Sequence, residues 1–120
     1  MRHDSYASLT DALHPIGLIG QRMGPDQLVV SAQEGPVWPD RGNSFWLSLR
    51  SGTWYLSTWA PMRYRIPDDQ DVVSLCSACM DFGTSAMQRV PDEIAARFSL
   101  EQISDGEFER LFPDGQDRCS

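Results

Sequence analysis

Lysine is absent from this chain of 120 residues, and all ten of its basic residues are arginine. We interpret this bias as the codon usage of a GC-rich bacterial genome rather than as a chemical requirement. Cysteine is scarce as well, with three residues. Three cysteines make a poor disulfide framework, and this number suits a reducing compartment. No apolar run approaches the ~20 residues that span a bilayer, and no signal peptide is visible. We therefore expect a cytoplasmic protein with no membrane partner.

The chain also lacks the short motifs that carry most enzyme chemistry. It contains no G-x-S-x-G elbow and no H-E-x-x-H helix, and the spacing of Gly17, Gly20 and Gly24 matches neither a dinucleotide fingerprint nor a phosphate loop. A catalytic triad whose members meet only in space stays open, but His3 and His14 have no evident carboxylate or nucleophile partner. We expect no enzyme and no cofactor.

Cys76-Ser-Ala-Cys79 has the spacing of a redox pair or of half a zinc site. Redox pairs lie at a helix amino terminus, where the helix dipole lowers the thiol pKa, whereas about two turns of predicted helix precede Cys76. The further zinc ligands that remain, two histidines and Cys119, are scattered. We interpret Cys76 and Cys79 as core residues. The carboxylates at 68, 69 and 71 lack the spacing of a calcium loop, so no metal is expected.

Ser44–Ala60 has the clearest local structure. Two runs of aromatic and other β-prone residues flank Ser51-Gly52, a pair that suits a tight two-residue hairpin turn. This turn sets a register in which Leu47 opposes Leu56. Because side chains alternate faces along a strand, the hairpin then has two different faces. The apolar core face carries Phe45, Leu47, Leu49, Trp54, Leu56 and Thr58. The second face carries Trp46, Ser48, Arg50, Thr53, Tyr55, Ser57 and Trp59.

The elements around this hairpin divide a single domain, residues 1–120, into successive parts. They are an N-terminal helix with a glycine-rich connection (1–26), the sheet (27–66), helices (67–112) and a polar tail (113–120). Because strands precede most of the helices, the order favours an α+β fold over a βαβ fold. We predict an antiparallel sheet of three to four strands built on hairpin 44–60, with the C-terminal helices packed on one face.

Capping signals place the helices of the second half. Asp68 suits an N-cap, and the apolar stripe that follows it predicts a helix to Phe82. Pro91 suits the first position of another helix. Ser104 and Glu107 form a capping box before a last short helix.

The formal net charge of −7 is unevenly distributed. Residues 1–66 hold six Arg against five Asp and Glu, whereas residues 67–120 hold four Arg against twelve. An acidic half repels phosphate backbones, so we expect no nucleic acid partner. The asymmetry favours a basic protein partner, although it also serves solubility.

The second face of the hairpin is the candidate binding site. Trp46, Arg50, Tyr55, Trp59 and Arg63 combine the residue types that dominate the hot spots of protein interfaces. Three arrangements stay open at this stage. The face binds another protein, a second copy included; or it stacks a planar or sugar-like ligand, with an arginine holding an anion. In the third, an N-terminal segment such as 13–19 folds over it, because soluble monomers rarely expose a large apolar patch.

Gly52-Thr-Trp-Tyr-Leu-Ser-Thr-Trp-Ala-Pro61, continued by Tyr64-Arg-Ile-Pro67, resembles a group of small bacterial proteins of unknown function. The resemblance covers at best residues 43–112 and transfers no catalytic residue. In size, acidity and order of elements the chain is also similar to immunity proteins of polymorphic toxins and to secretion chaperones, a fold-level analogy.

We therefore expect a non-enzymatic adaptor of the immunity or chaperone kind, which binds another protein through its acidic helical half and its aromatic strand face. The alternative is a small-ligand-binding domain that uses Trp46, Tyr55 and Trp59.

Overall fold

An antiparallel sheet organises the part of the chain that the computed structural model describes, residues 5–24, 27–32, 44–58, 62–82 and 89–112. Within these ranges there are six strands and four α-helices. The helices are α1 (Ser5–Leu13), α2 (Val72–Phe82), α3 (Asp92–Arg97) and α4 (Asp105–Leu111). The strands are β1 (Leu18–Gly24), β2 (Gln27–Ala32), β3 (Ser44–Arg50), β4 (Thr53–Ser57), β5 (Arg63–Ile66) and β6 (Glu101–Ile103). None of the described helices is long and apolar enough to cross a membrane.

The strands follow one another across the sheet in chain order, and each is antiparallel to the next. The expected α+β class with an antiparallel sheet is confirmed, but the expected number of three to four strands is wrong. The two strands that the sequence analysis missed are the edge strands. β1 occupies the predicted glycine-rich connection, and β6 lies inside the predicted helical part.

Gly20 explains why a glycine-rich stretch forms an edge strand here. A Cβ atom at this position would lie 2.9 Å from Oγ1 of Thr10 and 3.3 Å from a methyl carbon of Leu28. Both distances are shorter than ordinary contacts, so the missing side chain lets α1 approach β1 closely. The glycine therefore serves packing and not flexibility.

The turn between β3 and β4 sets the register of the central hairpin. Ser51 and Gly52 both have positive φ angles, 55° and 79°, as the favoured two-residue hairpin turn requires. Leu47 consequently pairs with Leu56, and Trp46 pairs with Ser57. The predicted register is confirmed, and so is the predicted division into two faces for the described residues of the hairpin, which do not include Trp59.

Helices α1, α2 and α3 cover the core face of the sheet. The buried cluster includes Tyr6, Leu9 and Leu13 of α1, Val72, Leu75, Cys76 and Cys79 of α2, and Ile94 of α3, against Phe45, Leu47, Trp54 and Leu56 of the hairpin. The Tyr6 hydroxyl accepts a hydrogen bond from the backbone N–H of Leu49 at 2.8 Å. Its ring meets the Trp54 ring edge-on, with 5.1 Å between centroids. The N-terminal helix thus lies on the core face. Leu13 and Leu18 belong to the same core cluster, so the alternative in which segment 13–19 folds over the second face is wrong.

The last helix, α4, lies on the opposite side of the sheet. Phe108 and Phe112 belong to a separate buried cluster with Tyr55 of the second face. The expectation that the C-terminal helices share one face is therefore wrong for α4. The physical reason is β6, which pairs with β5 at the edge of the sheet and leads the chain to the other side.

Two helix starts follow their predicted caps. A carboxylate oxygen of Asp68 accepts a hydrogen bond from the Gln70 N–H at 2.9 Å, at the start of a 3₁₀ turn that leads into α2. The Ser104 hydroxyl accepts one from the Glu107 N–H at 3.1 Å and begins α4. Such local bonds satisfy orphan N–H groups of the first turn.

The hairpin register predicts opposite outcomes for neighbouring residues. Leu47→Ala or Leu56→Ala should lower the free energy of unfolding by about 2–5 kcal/mol, because each leaves a cavity beneath the helices. Ser57→Ala is the matched control, and its buried hydroxyl has no hydrogen-bond partner among the described residues, so this change should be neutral or stabilising. Urea unfolding of the three variants makes the comparison, and a Ser57→Ala loss as large as that of Leu56→Ala would contradict the register.

Candidate functional site

The side chains of the second face form neighbouring rows across the central strands β3, β4 and β5. Trp46 of β3 lies opposite Ser57 of β4, which in turn lies opposite Arg63 of β5. Along the next row, Ser48 lies opposite Tyr55, which lies opposite Arg65. The structure thus brings four of the five predicted site residues, Trp46, Arg50, Tyr55 and Arg63, onto one face. Trp59 lies outside the described residues.

Helix α4 packs its aromatic side chains onto this face. The Phe108 and Phe112 rings meet the Tyr55 ring edge-on, with centroid distances of 6.4 and 5.7 Å. All three side chains are buried, and Ile103 and Leu111 pack against them. Tyr55 therefore serves as the centre of a small second core and does not present its ring to a partner.

Two arginines of the second face lie over the aromatic rings of the α4 segment. The Arg63 guanidinium carbon lies 4.2 Å from the centroid of Phe108, and that of Arg50 lies 4.9 Å from the centroid of Phe112. Both distances are typical of cation–π contacts, which attract a cation to the ring face. The two predicted anion-holding residues are thus engaged within the fold.

Carboxylates of the second half pair with arginines of the first half in the same region. Nε of Arg63 lies 3.6 Å from Oδ1 of Asp105, an ion pair too long for a hydrogen bond. Burial lowers the pKa of Arg63, and Asp105 raises it in part. Arg65 forms a hydrogen-bonded ion pair with Glu101. Part of the charge asymmetry is therefore neutralised inside the chain.

Ser48 and Ser57 are buried polar residues on the second face. Each is about 1% exposed, and neither hydroxyl has a hydrogen-bond partner in the part of the chain that the structure describes. A buried hydroxyl without a partner loses its hydration without replacement, which destabilises the fold. Their small size also leaves room above the sheet for the neighbouring large rings. Trp46, in the same row as Ser57, is half-buried.

A second surface lies where the end of α2 meets α3. The Phe82 side chain is 47% exposed, although the sequence analysis assigned it to the apolar stripe of α2. Two shallow cavities flank it. One of about 250 Å³ is lined by Ala78, Asp81, Phe82, Glu93, Ile94 and Arg97. The other, of about 290 Å³, is lined by Phe82, Arg89, Val90, Pro91 and Asp92. We refer to Phe82 with Asp81, Asp92 and Glu93 as the Phe82 surface.

The sequence analysis missed the Phe82 surface because periodicity alone does not show where a helix leaves the core. Phe82 is the last residue of α2, and the end of an amphipathic helix commonly projects beyond the element on which it packs. Asp81 beside it and the acidic first turn of α3 were visible signals.

Cys76 and Cys79 lie in the core, on the buried side of α2. Burial raises the pKa of the Cys79 thiol to about 12, and burial with the nearby Cys79 raises that of Cys76 well above its ordinary value. Both therefore remain neutral thiols at physiological pH. Among the described residues, no group of three or more His, Cys, Asp or Glu side chains is arranged to hold a metal ion.

Comparison with known proteins yields no relative. No family model matches the chain, and neither a curated protein nor a solved structure is found to be similar to it.

The buried thiols should resist alkylation in the native protein. At pH 8 and again at pH 10 we expect slow modification of Cys76 and Cys79, because burial raises the pKa of both thiols, that of Cys79 to about 12. In urea both should react rapidly, which mass spectrometry of peptides will show. Rapid native labelling of either residue would contradict the buried arrangement. Cys119, which we expect to react, lies outside the described residues.

The packing of α4 on the second face can be tested through its aromatic side chain. Phe108→Ala should lower the free energy of unfolding by about 3–5 kcal/mol, because the ring is completely buried against Tyr55. Glu109→Ala, an exposed neighbour on the same helix, is the control and should change it by less than about 0.5 kcal/mol. Equal stability of the two variants would show that α4 does not pack on the second face.

Proposed function

We propose that this protein is a non-enzymatic adaptor that binds another protein, and that the Phe82 surface is its main contact. The observation that carries the proposal is an exposed aromatic side chain with exposed charged side chains around it, three acidic and two basic. Interface hot spots commonly combine an apolar centre with a polar rim. Phe82 supplies the centre, and Asp81, Asp92 and Glu93, with Arg89 and Arg97, supply the rim.

The charges of the second half support a basic partner. The described residues from 67 onward hold ten carboxylates, of which nine are exposed. Within the described residues three of them form ion pairs: Asp92 with Arg89, Glu101 with Arg65, and Asp105 with Arg63. Asp81 and Glu93 pair with no described residue, so their charges act on an approaching protein. Such charges accelerate the capture of a partner of opposite sign.

The aromatic strand face contributes less than its sequence suggests. Tyr55, Arg50 and Arg63 already contact Phe108 or Phe112, and these contacts must break before another molecule reaches them. This also weakens the alternative of a small-ligand platform, which needs the Tyr55 ring free for stacking. Trp46 is half-buried, so it stays a candidate for the edge of an interface.

Stoichiometric binding of one protein is what immunity proteins and secretion chaperones do, and we place this chain in that class by analogy. The free thiols of Cys76 and Cys79 suit the reducing cytoplasm.

Matched variants test the proposal in a capture experiment. The immobilised full chain is exposed to lysate of the cells that produce it, at low and high salt, and bound proteins are identified by mass spectrometry. Glu93→Arg and Phe82→Ala should each weaken capture of the partner by about tenfold or more, the scale of a hot spot. Capture should also weaken at high salt, because screening reduces attraction between exposed charges.

The control variants make the same kinds of substitution outside the Phe82 surface. Asp11→Arg alters the net charge as Glu93→Arg does, and Ile16→Ala removes an exposed apolar side chain as Phe82→Ala does. Both controls should bind the partner within about twofold of the unmodified protein, since both positions lie outside the Phe82 surface. Equal binding by all four variants, or recovery of no protein, would contradict the proposal.

A further inference from the structure

The two edges of the sheet differ in how they are protected. Exposed edge strands offer unpaired backbone groups to another strand, and natural proteins protect them by making them short or charged. β6 has only three residues and begins with the exposed Glu101. β1 has seven residues, and among the described residues only β2 pairs with it. Its single irregularity lies at its end, between Arg22 and Gly24.

β1 is also held firmly in a pairing geometry. Leu18 is buried in the core, and the close approach of Thr10 to Gly20 presses α1 against the strand. Five consecutive residues, Leu18 to Arg22, pair with β2 without a shift. A strand that is already ordered loses little conformational entropy when another strand is added to it.

Two exposed apolar side chains lie at this edge of the sheet. Ile16, in the turn before β1, is 44% exposed, and Ile19 within β1 is 41% exposed. They are two of the three large hydrophobic side chains that are exposed among the described residues. An added strand would therefore bury apolar surface in addition to satisfying backbone groups.

The sequence of β1 allows it to pair with β1 of a second copy. A two-fold axis pairs a strand with its own copy in antiparallel orientation. If the axis passes at Gly20, Arg22 lies opposite Leu18 of the other copy. Arg22 is the only charged side chain of β1, so this register places no like charges opposite each other.

The carboxylates of β6 and α4 do not oppose a second copy at this edge. β6 and α4, with Glu101, Asp105, Glu107 and Glu109, follow at the far edge of the sheet, five strand spacings or about 24 Å from β1. That distance exceeds the screening length of about 8 Å at physiological salt. We propose that the protein forms a two-fold dimer in which β1 pairs antiparallel with β1 of a second copy. This interface is separate from the Phe82 surface of the proposed function.

Sedimentation velocity of the full chain from about 1 µM to about 1 mM tests the dimer, a range that covers weak and moderate affinities. We expect a single transition from 13.5 kDa to twice that mass. Ile19→Lys places a charge on the edge strand and should raise the dissociation constant by about tenfold or more. Phe82→Lys is the matched control, with the same change at an exposed side chain of α2, and should leave it within about twofold.

Amide hydrogen exchange of the unmodified protein gives a second measurement that needs no variant. Exchange in β1 should slow as the concentration rises through the transition, whereas exchange in β6 should not change. A monomer throughout the range, or equal effects of Ile19→Lys and Phe82→Lys, would overturn the proposal. Open-ended growth would overturn it as well, because β1 would then pair with β6 of the next copy.

Discussion

The left-handed turn at Ser51 and Gly52 is the constraint on which the rest of the structure depends. It sets the β3–β4 register, and a slip of one residue would exchange the two faces of the central hairpin. In the observed register Phe45, Leu47, Trp54 and Leu56 meet three helices on one side. Tyr55, Arg50 and Arg63 consequently meet the α4 segment on the other. The composition of both clusters on the hairpin thus depends on two backbone conformations.

The fold resolves an imbalance of charge and polarity between the halves of the chain. The second face would present aromatic rings and cations to water, and α4 brings to it two aromatic rings and several carboxylates. Arg63 takes part in both kinds of contact, since it lies over Phe108 and pairs with Asp105. The burial of Ser48 and Ser57 without hydrogen bonds to any described residue opposes this arrangement.

This internal use of the second face moves the proposed binding function to other parts of the molecule. The hot-spot composition of Trp46, Arg50, Tyr55 and Arg63 describes a genuine interface, but for Arg50, Tyr55 and Arg63 the partner is the chain's own α4 segment. The Phe82 surface and the outer edge of β1 are directed outward. They differ in chemistry, since one has charged side chains of both signs around an aromatic centre and the other is an edge strand with two exposed isoleucines nearby. The two proposed contacts, one with an unlike partner and one with a second copy, use separate surfaces.

The sequence by itself determined the features that depend on neighbours in the chain. The turn at Ser51-Gly52, the caps at Asp68 and Ser104 and the burial of Cys76 and Cys79 were predictable, because each follows from local backbone preference or from helical periodicity. Only the tertiary structure decided that Gly20 belongs to a strand, since the strand forms by pairing with β2 and the glycine leaves room for Thr10 of α1. It alone also decided the pairing of Glu101–Ile103 with β5, the exposure of Phe82 and the face that receives Phe108. These outcomes depend on which distant surfaces remain to be covered once the hairpin and the first helices have packed, and no local pattern contains that information.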